Sequence, residues 1–268
     1  MKKPKVSAIC CTYKRFECVE RVLNCYLAQD YTNKELIIYN TDVESPFEAD
    51  LKSYGVTIIN CNTDLESNEN GQSTPYTNVG AIRRDALKFA KGDYVVTWDD
   101  DDIFLPWFMR QAIDRINDTG LPSFKPEQSF FYSGHLRLVR NTLEASVVAD
   151  IKKVREYGYL LETGKEGLGW YTKLRDNREL NEHDTHYLPA YCFNWNDGSE
   201  MKAPHKQSGD IDNPNNFENH KANSIDPVNG RILSVWSKEK MERVYQPYYD
   251  FILNTIKDYP PEVVDRYF

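Results

Sequence analysis

Asp93-Tyr94-Val95-Val96-Thr97-Trp98-Asp99-Asp100-Asp101-Asp102 is the stretch that decides the fold. Its first six residues are rich in β-branched and aromatic side chains and predict a short, largely buried strand. The carboxylates then fall at the strand's C-terminal end, where open α/β sheets place their ligands. Adjacent negative charges repel one another, so the run favours a counter-cation once the chain folds around it. All-oxygen ligation suits Mg²⁺ or Mn²⁺, ions that commonly bridge one or two carboxylates to substrate phosphates. The run points to a metal–diphosphate site. A solvated acidic turn is the plainer alternative, and the strand ahead of the run argues against it.

Working outward, residues 5–11 read as a first strand, 35–39 as a second and 56–59 as a third. Phe16, Val19, Leu23 and Leu27 recur at helical spacing, as do Val79, Ile82, Ala86, Leu87 and Ala90, with Gly92 as a stop. A helix is expected from Pro106 to Ile116. Strands and helices joined by short links predict an α/β fold with a mostly parallel sheet. Beyond Pro126, Ser129–Val139 suggests a strand and Leu143–Tyr157 a helix. Residues 194–230, rich in Asn, Asp, Pro and Gly, suggest a surface loop or lid. Met241, Val244, Tyr245, Tyr248, Ile252 and Ile256 suggest a closing helix capped by Ser237.

The 268 residues suffice for one large domain with a proper core, and 40% hydrophobic content is that of a globular chain. A net charge of −8 argues against generic attraction to nucleic acid or anionic membrane. No segment reaches the apolar length of a membrane span, and the stretch after the basic start is too short for a signal-peptide core. The six cysteines show no zinc-like or redox spacing and read as reduced, mostly buried thiols. A cytoplasmic enzyme is the default expectation.

With these elements in place, the first 110 residues resemble family 2 glycosyltransferases. Val6-Ser7-Ala8-Ile9-Cys10-Cys11-Thr12-Tyr13-Lys14-Arg15 is similar to their opening strand and its Thr-Tyr-Asn-Arg turn. Gln29 to Ile38 resembles the approach to their second strand, and Arg83–Leu87 followed by Ala90-Lys91-Gly92-Asp93-Tyr94 resembles the stretch that runs into a D-x-D motif. In that frame Asp99 and Asp101 occupy the two D-x-D positions. The resemblance implies a GT-A (Rossmann-like) fold with a C-terminal acceptor-side extension, a nucleoside-diphosphate sugar donor and Mn²⁺ or Mg²⁺. Residues 1–125 would form the donor-binding half of a single domain, and 126–268 the acceptor half with the lid and closing helix. Thr12, Tyr13 and Arg15 would shape the nucleotide pocket, Asp42 would stand near uracil or ribose, and Arg83 near the diphosphate. Asp99 would bond the ribose with Asp100 on the same donor side, while Asp101 would hold the metal.

The implied reaction is inverting transfer of a hexosyl or pentosyl group to a hydroxyl of a glycan, small molecule or protein, or less readily of a modified DNA base. Such transfer needs a carboxylate to take the acceptor proton. The family offers it in an E-D or x-D pair ahead of a Trp-bearing helix, and Glu166-Gly167-Leu168-Gly169-Trp170 is the nearest match. Glu166 is the first candidate, although Gly167 stands where the pair has its Asp; Asp184 is the rival. Tyr191 to Trp195 and the later His205 resemble a segment whose His completes the metal shell, which makes His205 a candidate ligand. The second strand ends in Tyr39-Asn40-Thr41-Asp42 instead of the family's Asp pair, which leaves the base open, with uracil first. Two other readings are a sugar nucleotidyltransferase, disfavoured by the missing N-terminal Gly-rich basic loop, and a non-catalytic glycan- or nucleotide-binding homologue, disfavoured by the intact acidic run.

Overall fold

The computed structural model describes residues 3–13, 15–61, 79–132, 136–161, 167–184, 186–194, 231–232 and 251–267. The chain opens with β1 (Val6–Thr12), α1 (Phe16–Leu27), β2 (Lys34–Asn40), the short β3 (Phe47–Glu48) and β4 (Val56–Asn60). Next come α2 (Val79–Ala86), β5 (Tyr94–Thr97), β6 (Ile103–Phe104) and α3 (Phe108–Thr119). The second half holds β7 (Ser123–Phe124), β8 (Gln128–Tyr132), β9 (Leu136–Arg140), β10 (Val148–Asp150), α4 (Ile151–Tyr157) and α5 (Leu168–Asp176). It ends with β11 (Leu180–Asn181), β12 (Tyr191–Asn194), β13 (Arg231–Ile232) and α6 (Pro261–Tyr267).

A seven-stranded sheet runs β11-β7-β10-β5-β1-β2-β4, and a four-stranded sheet runs β6-β12-β8-β9. The β5-β1-β2-β4 core is parallel, as the apolar runs predict, with Ile9 opposite both Ile37 and Thr97. β10 enters antiparallel between β5 and β7, so residues beyond 126 complete the sheet begun by the first half. Side chains alternate along β1. Val6, Ala8 and Cys10 pack with Val19, Leu23 and Tyr26 of α1 and with Phe108, Ala112 and Ile116 of α3. Ile9 faces the opposite layer of Ala86, Val154, Trp170 and Leu174. Period-2 alternation against helices on both faces gives a three-layer α/β architecture.

The C-terminal end of β5 is locked by aromatics. The Trp98 ring stacks on Phe104 at 3.8 Å, and Tyr26 and Phe108 meet Trp98 edge-on. This cluster fixes the turn that carries the acidic run. Gly92 earns its place sterically, because a Cβ there would lie 2.5 Å from Ser7 Oγ and 2.8 Å from the Lys5 carbonyl.

Two expectations need correction. Ser129–Val139 is not one strand but an antiparallel hairpin, β8 against β9, with Phe130 opposite Leu138. Leu143–Tyr157 is not one helix. It divides into a 3₁₀ turn at Glu144–Ser146, strand β10 and helix α4, and Asp150 caps α4 by accepting from the Lys152 N–H at 2.7 Å. Trp107 and Trp170 are buried in the core. The expected closing helix is seen at residues 251–256, followed by α6; Ser237, residues 241–248 and the lid 195–230 lie outside the described residues. All six cysteines are free thiols, and only Cys11 is not fully buried. Among the described residues, no helix is long and apolar enough to cross a membrane.

Candidate active site

Parallel pairing sets the carboxyl ends of β1, β2 and β5 side by side. Thr41, just past β2, donates its N–H and its hydroxyl to the Thr12 carbonyl, each at 3.0 Å. Thr12 in turn donates its hydroxyl to Asp100 Oδ2 at 2.7 Å. Arg15, between β1 and α1, bridges the run: Nη1 lies 2.5 Å from Asp100 Oδ1 and 3.2 Å from Asp101 Oδ2. Arg21 adds a bond from α1 to the Asp100 carbonyl at 3.3 Å. The first helix and the residue that precedes it therefore aim two guanidinium groups at the acidic turn.

Arg83 approaches from the other side. The α2 helix buries it, and its two terminal nitrogens point to different carboxylates: Nη2 to Asp99 at 2.6 Å and Nη1 to Glu144 at 3.0 Å. Asp102 is fully buried and accepts from the Tyr191 hydroxyl, which ties the turn to β12 of the smaller sheet. Burial pushes the Asp100 carboxyl above its usual 3.8; Arg15 opposes that rise and the neighbouring Asp101 charge adds to it. Burial also lifts the Cys11 thiol to about 12, which leaves it protonated and unreactive near the site.

Among the sequence-derived candidates, Thr12, Arg15, Arg83, Asp99, Asp100 and Asp101 thus converge on one turn. Tyr13 follows β1, half-buried. Asp42 is buried in the turn after β2, where its N–H donates to Asn40 Oδ1 at 3.0 Å and its Oδ1 accepts from the Glu44 N–H at 3.2 Å. Glu166 and His205 lie outside the described residues. Asp184 is engaged elsewhere: Oδ2 takes Arg115 Nη2 at 2.6 Å and Asn181 Nδ2 at 2.9 Å, and Oδ1 takes the His186 N–H at 2.8 Å. Both of its oxygens are occupied in holding the segment after β11 to α3.

Glu144 and Arg21 are site residues that the sequence reading passed over, and Tyr191 was read only as part of the segment ahead of His205. A charged residue amid the apolar face of α1 is a usable signal for Arg21; Glu144 had none, since only the fold brings it to Arg83, 61 positions away.

Among the described residues, no three His, Cys, Asp or Glu side chains group closely enough to cage a metal ion by themselves. Mg²⁺-like ions take one or two carboxylates and leave the remaining positions to substrate phosphate and water. The donor set at the turn is all oxygen, as such ions prefer.

No protein-family model matches the chain. No curated protein matches it in sequence. Solved structures do match in fold. S. aureus TarS 1-349 superposes with a TM-score of 0.52 at 14% identity, covering 71% of this chain and 60% of that one. The same protein in complex with UDP-GlcNAc gives 0.53 at 14% identity, covering 72% and 59%. The chain has the GT-A fold. It spans about three-fifths of the length of the TarS structures that it matches. Glucosyl-3-phosphoglycerate synthase from Mycobacterium tuberculosis, in complex with Mn²⁺, UDP and glucosyl-3-phosphoglycerate, superposes at 0.47 and 14% identity over 72% of this chain and 70% of its own.

Proposed function

We propose that this chain is a family 2-type glycosyltransferase that moves a sugar from a nucleoside-diphosphate donor, most simply UDP-linked, to a hydroxyl acceptor with inversion. One observation carries the reading: Thr12, Arg15 and Arg83, from three separate segments, meet a single acidic turn at the carboxyl ends of β1 and β5. That is where an open α/β sheet binds nucleotides. The structure of TarS with UDP-GlcNAc, on the same fold, supports a uridine donor.

Thr12, Tyr13, Arg15, Asp42, Asp99 and Asp100 would line the nucleoside side, and Arg83 would supply a cationic fork that suits a diphosphate. Asp101, joined by His205, would hold Mn²⁺ or Mg²⁺. When bound, the ion supplies Lewis-acid stabilisation to the departing diphosphate. The acceptor oxygen attacks the anomeric carbon opposite the leaving group while a carboxylate takes its proton. From the sequence, Glu166 is the first candidate for that carboxylate and Asp184 the second. Residues 1–125 handle the donor and 126–268 the acceptor, in the cytoplasm.

The test is a thermal-shift panel of nucleoside diphosphates with and without Mn²⁺, on the wild type and Asp101→Asn. Ligand that binds only the native state raises its apparent stability. A UDP shift that requires Mn²⁺ and vanishes in Asp101→Asn is the expected result. No shift with any diphosphate, from a folded protein, refutes the proposal.

A further inference from the structure

We infer that Glu144 is the catalytic base that takes the proton from the acceptor hydroxyl, an assignment that rests on the glycosyltransferase reading. Its starting point is a side chain that is missing. Gly167 is buried and has φ −76° and ψ −20°, an ordinary helical conformation open to any residue. Backbone freedom does not require glycine here, but space does. A Cβ at position 167 would fall 2.0 Å from Glu144 Cγ, 2.6 Å from Cδ and 2.7 Å from Oε1. The Glu144 side chain fills the volume into which a side chain at 167 would project, and it brings a carboxylate there. The carboxylate that position 167 lacks is thus supplied from a distant part of the chain.

The other described acidic groups at or near the site are unsuited to the task. Asp100, Asp101 and Asp102 are buried, and Asp99 stands on the donor side of Arg83 in the proposed reading. Asp184 has both oxygens engaged. The Glu144 side chain is 22% exposed, its Oε1 is held by Arg83 at 3.0 Å, and Oε2 accepts no hydrogen bond among the described residues.

Its position is well fixed. The following Ser146 is buried and accepts from Asn141 Nδ2 at 2.6 Å, while the preceding Leu143 N–H donates to Asn141 Oδ1 at 3.1 Å. Arg83 then acts as a rigid spacer, one nitrogen on Asp99 and the other on Glu144. The donor-side and base-side carboxylates are thereby held a guanidinium's width apart, the kind of pre-set geometry that direct displacement needs.

In the step, Glu144 Oε2 accepts the hydroxyl proton as the acceptor oxygen forms its bond to the anomeric carbon. The bond from that carbon to the diphosphate oxygen breaks, and its electron pair leaves with the nucleoside diphosphate. No oxidant or reductant is involved.

Water serves as the test acceptor, with UDP release from UDP-GlcNAc and other UDP-sugars as the assay and UDP thermal shift as the binding control. Glu144→Gln should bind UDP like the wild type and release it about 10²–10⁴-fold more slowly, the usual contribution of general base catalysis. Glu144→Ala should be equally slow, and adding Gly167→Asp to it should restore a substantial part of the rate, because the vacated volume then accepts a carboxylate from 167. UDP release from Glu144→Gln at the wild-type rate overturns the assignment. Loss of UDP binding in Glu144→Gln makes the residue structural and also overturns it. Absence of UDP binding and release in the wild type overturns the glycosyltransferase reading itself.

Discussion

The Thr12 hydroxyl donates to Asp100 Oδ2 at 2.7 Å across 88 positions of sequence. The same offset relates Ile9 to Thr97 in the β1–β5 ladder, so the contact extends the strand register into the turn beyond it. The ladder itself delivers the acidic run to the end of the first strand.

Removing that hydroxyl leaves a buried carboxylate one donor short. Thr12→Val should lower unfolding stability by about 1–3 kcal/mol, the range for an unsatisfied buried acceptor. Urea unfolding measures it, and a midpoint unchanged from wild type contradicts the role given to Thr12.

Arg83 serves two carboxylates with two different nitrogens, a task that a lysine's single ammonium cannot share at the same geometry. Arg83→Lys should weaken UDP binding by about 10-fold or more, in keeping with a charged hydrogen bond of about 1.5–3 kcal/mol. Calorimetric titration with UDP decides it; equal affinity removes Arg83 from the donor site.

Glu35 anchors the opposite end of the sheet. Its carboxylate accepts from Lys5 Nζ at 2.5 Å and from Ser7 Oγ and the Lys91 N–H, each at 2.6 Å. Burial alone would raise its pKa, but these three bonds outweigh burial and hold it below 4.5. A depressed carboxyl contributes its stability above the unfolded value and loses it as pH falls through the folded one. Glu35→Gln should therefore cost about 1.5–3 kcal/mol at pH 7, and the gap to wild type should close as pH drops below 4.5. A gap that persists at low pH refutes the linkage.

Asp184 is held by Arg115, Asn181 and the His186 N–H. Asp184→Asn breaks a buried ion pair and should cost about 3 kcal/mol. UDP release per folded molecule should stay within about twofold of wild type, far short of the 10²-fold or greater loss expected for a missing base. Collapse of the rate in a fully folded variant would restore Asp184 as the base candidate.

Trp98 is the aromatic centre beneath the acidic turn, stacked on Phe104 and flanked by Tyr26 and Phe108. Trp98→Ala should cost about 3–5 kcal/mol. Thermal unfolding reads the loss, and a fall of less than about 1 kcal/mol would mean that the core closes over the gap.

Much of the acidic-turn site was legible in sequence because each part is local. The apolar runs of β1, β2 and β5 are buried along most of their length, and Asp99–Asp102 follow the last of them after Trp98. What was not legible depends on long-range pairing. Val147-Val148-Ala149 reads equally as a helix turn until β5 and β7 are seen on either side of it. Asp150 ahead of Ile151 carried the cap signal that would have moved the helix start to its true place. β8 and β9 were read as a single strand although Ser133-Gly134, a turn-favouring dipeptide, stands between them in the sequence. Glu144 reaches the site only through a contact with Arg83 that no local pattern encodes.

The antiparallel β10 has a consequence for how the molecule can be divided. A fragment ending at residue 125 would keep β5 but lose the strand that pairs with Tyr94 and Val95. One flank of the parallel core would become a bare edge of unmet N–H and C=O groups beside apolar side chains, a template for intermolecular strand addition. Expressed alone, the first half should aggregate, and the second, deprived of β5, should have nothing to seat β10 and β7 against. The proposed donor and acceptor roles divide near residue 125, but the folding unit does not.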